Sequence, residues 1–320
     1  MTRIFFNEVA TRDGFQIEPQ FVPTDDKIAL IDTLSDCGYA KIEVTSFTSP
    51  KAIPMLRDAG EVMARIRRVP GVEYTVLVPN LRGAERALEA RADEMNLVMS
   101  TSETHNLANL RMPVAKSFAA LTDVIQFAGP HTQGSVPINV SLSCCFGCPM
   151  EGAVAQDDVL TWVARFADLG VRGITICDTT GMAHPAQVAR MVDALQTAIA
   201  QNHPQLQLTL HFHNTRGMGL ANVLAAAQSG ITRFDGSLGG LGGCPYAPGA
   251  SGNICSEDAI HMLDAMGYDT GIDLEKLLTV ARQLPDIVGH DVPGQIAKAG
   301  RIFDLHPAPA YVAELRQQFA

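Results

Sequence analysis

The chain has 320 residues, with 24 Lys and Arg against 34 Asp and Glu for a formal charge of −10, and 47% of it is hydrophobic. This globular profile excludes collagen, disorder and a basic nucleic-acid-binding stripe. The acidic balance repels phosphate backbones and anionic membrane surfaces, so an anionic substrate must be met by locally placed arginine or metal.

Short apolar runs alternate with Ala- and Leu-rich charged stretches along the whole chain. Strands are expected near 4–9, 39–45, 74–78, 95–99, 138–142, 173–177, 207–212 and 233–235. Helices are expected over 24–37, 54–67, 81–91, 114–127, 157–169, 185–199 and 218–228, with Thr24, Asp157 and Asn106 as caps or first-turn residues. Eight strand–helix alternations without a linker predict a single (β/α)8 TIM barrel with a C-terminal helical extension, an open doubly wound sheet being the alternative. The catalytic barrel is assigned to residues 1–290, and 291–320 to an extension that packs on the barrel or on an oligomer partner.

Seven cysteines with one close cluster make no disulfide framework and fit a reducing compartment. The N-terminus lacks a basic segment followed by a long apolar one, and no apolar run is long enough to span a membrane, so a cytoplasmic protein is expected.

In a parallel barrel the C-terminal strand ends converge on one mouth, and several polar residues fall there: Arg12, Asp13, Glu43, Asp178, His211 and His213. Residues two apart on a strand share a face, so His211 and His213 can place two imidazoles on one ion. Asp13 adds an anionic oxygen and Asn253 a neutral one. Two nitrogens and two oxygens without thiolate suit Mg²⁺ or Mn²⁺ better than structural zinc. Segment 236–253 carries seven glycines in 18 residues and must be a loop, either a surface linker or a support that holds Cys244 against a ligand. It is neither a Walker loop nor a dinucleotide fingerprint. The C-x-x-C of Cys145 and Cys148 lacks a second ligand pair and reads as packing or a tight turn. Asp178 is either functional or a turn former, and Glu43 either supports the site or is a buried partner for Arg12. The other histidines, His105, His131, His184, His203, His261, His290 and His306, have no partner at ligand spacing and read as structural or exposed.

The segments TRDGFQ (11–16), IEVTSF (42–47), SETHNLAN (102–109), SCCFGCPMEG, HFHNTRGMGLAN and GLGGCPYAPGASGN (240–253) together resemble the 3-hydroxy-3-methylglutaryl-CoA lyases over about nine-tenths of the chain. The resemblance implies a TIM barrel that binds Mg²⁺ or Mn²⁺ and cleaves 3-hydroxy-3-methylglutaryl-CoA to acetyl-CoA and acetoacetate. It implies Asp13, His211, His213 and Asn253 as metal ligands, Arg12 and Cys244 as catalytic groups, and Glu43 and Asp178 as supporting carboxylates. Either Asp178 or His213 would be the general base. Gln16 and Arg216 are the candidate positions for binding the acyl-CoA, and a homo-oligomer, dimer or tetramer, is expected.

The pattern departs from that family at Asn214-Thr215-Arg216, where Asp-Thr-Tyr is usual, and at Ile17 and Pro19, which replace polar residues. These changes admit a related thioester such as citramalyl-CoA. A Claisen-condensing synthase shares the barrel and the paired histidines but usually adds a regulatory domain, and a catalytically silent barrel would lack ligand or catalytic groups, none of which is lost here.

Overall fold

The computed structural model describes residues 1–129, 135–243 and 252–320. Eight parallel strands close on themselves in chain order: β1 (Phe5–Glu8), β2 (Lys41–Ser46), β3 (Glu73–Leu77), β4 (Glu94–Ser100), β5 (Ile138–Ser143), β6 (Gly173–Asp178), β7 (Gln207–Phe212) and β8 (Arg233–Gly236). Closure is made by β1, which pairs with β2 at Asn7↔Lys41 and with β8 at Asn7↔Asp235. The open doubly wound alternative is thereby overturned.

The connecting helices are α1 (Thr24–Ser35), α2 (Ala59–Arg65), α3 (Leu81–Glu89), α4 (Glu103–Leu110), α5 (Val114–Ala128), α6 (Gln156–Asp168), α7 (Pro185–Asn202) and α8 (Gly219–Gln228). After β8 come α9 (Ser256–Ala265), α10 (Leu274–Val288), α11 (Ile296–Ala299) and α12 (Tyr311–Gln318). The helix expected over 54–67 is broken into a 3₁₀ turn, Pro54–Leu56, and α2. Lys27 enforces the break, because its ammonium donates to Met55 O at 2.6 Å and to Asp58 Oδ1 at 2.8 Å. Thr24 and Asp157 lie in the first turns of α1 and α6, but Asn106 is no cap. Ser102 caps α4 by accepting from the His105 amide at 3.1 Å, and buried Asn106 accepts from the Ser100 amide at 3.0 Å. Asn80 and Asp273 cap α3 and α10 in the same way.

Strand alternation divides the interior into two layers. Outward residues such as Ile42, Val44, Val76, Leu97 and Val140 pack under the helices as the apolar core. Inward residues are polar: Asn139 Nδ2 donates to Asn96 Oδ1 at 3.0 Å and to Thr175 Oγ1 at 2.9 Å, and Ser141 Oγ donates to Asn96 Oδ1 at 2.9 Å. At the N-terminal end Glu94 pairs with Lys41 and Arg172, and Arg172 also reaches Glu73 at 2.6 Å. A barrel centre whose polar side chains are cross-bonded in this way is rigid and leaves few of them free to rearrange beneath the mouth. Beyond residue 301 the chain is exposed almost throughout, with Leu305 at 94% and Phe319 at 86%. No helix among the described residues is long and apolar enough to cross a membrane.

Candidate metal centre at the barrel mouth

Immediately after β1 the backbone makes one π-helical turn, Ala10–Gly14, in which the amides of Arg12 and Asp13 both donate to Val9 O, at 3.1 and 2.7 Å. Such turns concentrate at functional sites because they present consecutive side chains in directions an α-turn forbids. Arg12 thereby reaches sideways to β2, donating from Nε to Glu43 Oε2 at 2.7 Å, while Nη1 donates to Asp13 Oδ1 at 2.5 Å. The β2–β3 register shifts between Glu43 and Thr45, an irregularity beside the residue that must face inward. Glu43 Oε1 accepts from Asn96 Nδ2 at 2.8 Å. Glu43 is thus a buried partner of Arg12.

Asp13, His211 and His213 are all buried, and their nearest ligand atoms lie within 4.8 Å of one another. The two imidazole Nε2 atoms face each other at 3.1 Å, and His211 Nε2 stands 3.9 Å from Asp13 Oδ2. The histidine spacing is close to the roughly 3 Å edge of an octahedron whose ligands sit about 2.1 Å from a magnesium-sized ion. Asn253 arrives from the far end of the glycine-rich segment because it bridges antiparallel to His213, with Ile254 N donating to Phe212 O at 3.1 Å. Its Nδ2 donates to Asp13 Oδ2 at 2.8 Å and to Leu241 O at 2.9 Å, whereas its Oδ1 is buried without a partner. Nδ1 of His213 is likewise buried and unpartnered. Buried polar atoms are rarely left unsatisfied, and this set of oxygens and imidazoles fits a hard divalent cation.

The glycines here have specific reasons. A Cβ at Gly242 (φ +108°) would stand 2.5 Å from Asn253 Nδ2, and one at Gly252 (φ +89°) would collide with the carbonyls of Gly240 and Gly242. Only bare backbone lets the two stems of the loop approach each other and the amide. Cys244 lies outside the described residues, as does His131.

Protonation follows from the charges. Burial pushes the Asp13 carboxyl up, but Arg12, His211 and His213 outweigh it and hold it at about 2. Burial and the neighbouring His211 hold His213 down at about 3, so its ring is neutral and free to ligate. Burial raises the Asp178 carboxyl to about 6, despite amide donors from Met182 at 2.7 Å and Ala183 at 3.1 Å to Oδ1; its Oδ2 is buried and unpartnered.

Gln16 turns back onto Asp13, donating to Oδ1 at 2.8 Å, so its side chain joins the ligand support. Arg216 is exposed on the turn after β7 and binds the carbonyls of Thr180 and Gly181. Cys145 and Cys148 are buried and unpaired: Cys145 donates to Leu142 O at 3.0 Å, and Cys148 accepts from Ser102 Oγ at 3.0 Å.

Sequence reasoning missed two supports. Asp235 on β8 lies 3.2 Å from His211 Nδ1, and Glu8 on β1 accepts from the amides of Ala10 and Leu238, both at 2.9 Å, and from Ser256 Oγ at 2.8 Å. A carboxylate at the end of each flanking strand was the available signal, but the roles depend on register.

Barrel and buried cluster together define a (β/α)8 enzyme with a candidate metal site. A family model described as HMGL-like matches residues 3–284. The chain is 43% identical over 293 residues to the hydroxymethylglutaryl-CoA lyase YngG of Bacillus subtilis, covering 92% of this chain and 96% of that one. It is 39% identical to the cytoplasmic 3-hydroxy-3-methylglutaryl-CoA lyase of Mus musculus, covering 91% of this chain and 83% of the relative. Among solved structures it superposes on an HMG-CoA lyase from Acinetobacter baumannii in complex with coenzyme A and 3-methylmalate, with TM-score 0.90 and 52% identity over 96% of this chain and 98% of that one. The chain belongs to the HMGL-like family and is a carbon–carbon lyase.

Proposed function

We propose that this lyase carries out the retro-Claisen cleavage of 3-hydroxy-3-methylglutaryl-CoA to acetyl-CoA and acetoacetate, using Mg²⁺ or Mn²⁺ held by Asp13, His211, His213 and Asn253. The observation that carries the reading is the buried Asp13–His211–His213 cluster with Arg12 bonded to its aspartate. A bound divalent cation supplies Lewis acidity toward the hydroxyl and carboxylate oxygens of the substrate.

The chain's own groups handle the remaining charge. Cleavage leaves a thioester enolate, and Arg12, kept charged by Glu43 and Asp13, is preorganised to stabilise it. Asp178 serves as the base that accepts the hydroxyl proton, since its Oδ2 is uncommitted and its pKa of about 6 matches neutral operation. His213 spends its Nε2 on the ligand set. Cys244, which the resemblance implies as a catalytic group, protonates the enolate. Gln16 acts by orienting Asp13.

Cys37, Cys145, Cys148, Cys177 and Cys255 are buried thiols outside any disulfide, which fits a reducing, cytoplasmic setting. The exposed apolar side chains at the C-terminus, among them Phe303, Leu305 and Phe319, are the surface we assign to self-association.

The test is turnover of the Mn²⁺- or Mg²⁺-loaded protein with a set of 3-hydroxyacyl-CoA thioesters, citramalyl-CoA included. Release of acetyl-CoA from the 3-hydroxy-3-methylglutaryl thioester is expected to be fastest. Net consumption of acetyl-CoA would favour a condensing enzyme, and no turnover with no stabilisation by metal would favour a silent barrel.

A further inference from the structure

The turns after β6 and β7 are packed directly on each other. Gly181 (φ +60°) leaves no room for a side chain, since a Cβ there would stand 2.7 Å from Thr215 Cβ. Across this seam Arg216 Nη1 donates to Thr180 O at 3.0 Å and to Gly181 O at 2.9 Å. Both acceptors are neutral. Among the described residues no carboxylate forms an ion pair with Arg216, and no hydrogen bond engages its Nη2 or Nε, although the side chain is exposed.

A staple between two loops needs donors but not a charge. Here a planar cation is anchored by one corner and keeps a free two-donor edge, the geometry that matches a carboxylate. The surroundings are also unsatisfied. Thr180 Oγ1, in a residue 1% exposed, and Thr215 Oγ1 are hydroxyls buried without hydrogen-bond partners. Two orphaned hydroxyls on two touching loops, both able to donate to a carboxylate, are more than local packing explains. The turn also lies at the reacting end of the site: Arg216 follows His213 by three residues, and its charge and that of His211 both act on Asp178.

We propose that Arg216 is a specificity-determining residue that receives the free carboxylate of the acyl group, selecting hydroxyacyl thioesters that end in a carboxylate over neutral ones. This rests on the thioester-lyase reading above. The phosphates of CoA offer the same anionic chemistry. Arg216 sits on the turns that carry Asp178 and His213, which assigns it to the acyl end.

The test is a cycle between the residue and the substrate group, run on the Mn²⁺-loaded full chain. Wild type, Arg216→Ala and Arg216→Lys are compared on 3-hydroxy-3-methylglutaryl-CoA and on its carboxamide analogue, in which the free carboxylate is replaced. Loss of a metal contact affects both proteins equally and cancels. The expected result is that the carboxamide lowers kcat/KM at least about tenfold more in wild type than in Arg216→Ala, chiefly through KM, with Arg216→Lys between them. Calorimetric titration of the metal-free chain, with the same thioester and its carboxamide analogue, should give the same coupling without turnover. Additive losses overturn the proposal. So does an Arg216→Ala defect that disappears with a phosphate-free pantetheine thioester, because it would place the anion on CoA. If wild type fails to cleave the thioester but the calorimetric titration still shows coupling, the lyase substrate is wrong and the carboxylate site stands. If wild type cleaves it and coupling is absent, only the role of Arg216 fails.

Discussion

Asp235 Oδ2 lies 3.2 Å from Nδ1 of His211, and its other oxygen accepts from Asn7 Nδ2 at 2.8 Å. Burial pulls the His211 pKa down, but Asp235 outweighs it and raises it. The carboxylate keeps a proton on Nδ1, so that Nε2, turned toward His213 and Asp13, is the atom left to ligate a metal. Asp235→Asn should weaken Mn²⁺ binding by about 10- to 100-fold, as loss of such outer partners does elsewhere. Metal titration followed by calorimetry measures this, and unchanged affinity would mean that the strand holds the ring unaided.

Asp178 links activity and stability with opposite signs. Its folded pKa of about 6 lies above the ordinary carboxylate value, so the metal-free folded state binds its proton more tightly than the unfolded chain does. Stability conferred by that group is greatest below about pH 4 and falls as pH rises to about 6, after which the loss is complete. Asp178→Asn keeps an oxygen for the Met182 and Ala183 amides while removing the buried charge. It should stabilise the metal-free protein by roughly 2–3 kcal/mol at pH 7 and lower kcat by about 100-fold or more. Urea unfolding at pH 4 and pH 7 beside a pH–rate profile tests both halves; a variant no more stable at pH 7 would contradict the burial argument.

Arg12 touches Glu43 through Nε and Nη2 and Asp13 through Nη1, a fork that an ammonium group cannot reproduce. Arg12→Lys should therefore lower kcat by about 10²- to 10³-fold, with metal affinity changed far less. A fall in metal affinity of the same size would instead make Arg12 a support for Asp13.

His290 Nε2 lies 2.6 Å from Glu18 Oε2, and its Nδ1 lies 2.8 Å from Asp291 O. The pair straps the segment just past Gln16 to the chain after α10. The Asp291 carbonyl and Glu18 raise the His290 pKa, so the strap contributes fully below the ordinary histidine value and is lost as pH rises through the raised one. His290 is 41% exposed on its side chain, and the effect should be small and screened by salt. Thermal melts from pH 5.5 to 8.5 should show a decline that Glu18→Gln flattens.

The barrel is legible in the sequence because strand runs and helical stretches alternate eight times, and a closed parallel sheet answers that rhythm without a linker. Asp13 and the two histidines can be grouped from strand ends alone, since all C-terminal ends share one mouth. Asp235 and Asn96 cannot. Their roles come from register, Asp235 beside His211 and Asn96 within reach of Glu43, and register between strands far apart in sequence has no local signature. Asn106 reads as a cap because Asn usually is one, but a serine four residues earlier takes that role and leaves the amide to tie α4 to β4 and α5. For Gln16, a polar group near the site is visible in sequence, whereas its direction, back onto Asp13, depends on the 3₁₀ turn that follows the π-turn.

Asn96, Glu43, Arg12, Asp13 and Asn253 form one unbroken chain of donors and acceptors from the middle of the barrel to its rim. Most enzymes of this architecture fill the bore with aliphatic layers that can be exchanged while leaving the chemistry alone. Here an exchange in the bore would be felt at the reacting atoms several residues away. Changes that alter substrate choice at little cost to the site are therefore expected in the loop turns, such as the one that carries Arg216, and not in the barrel's interior.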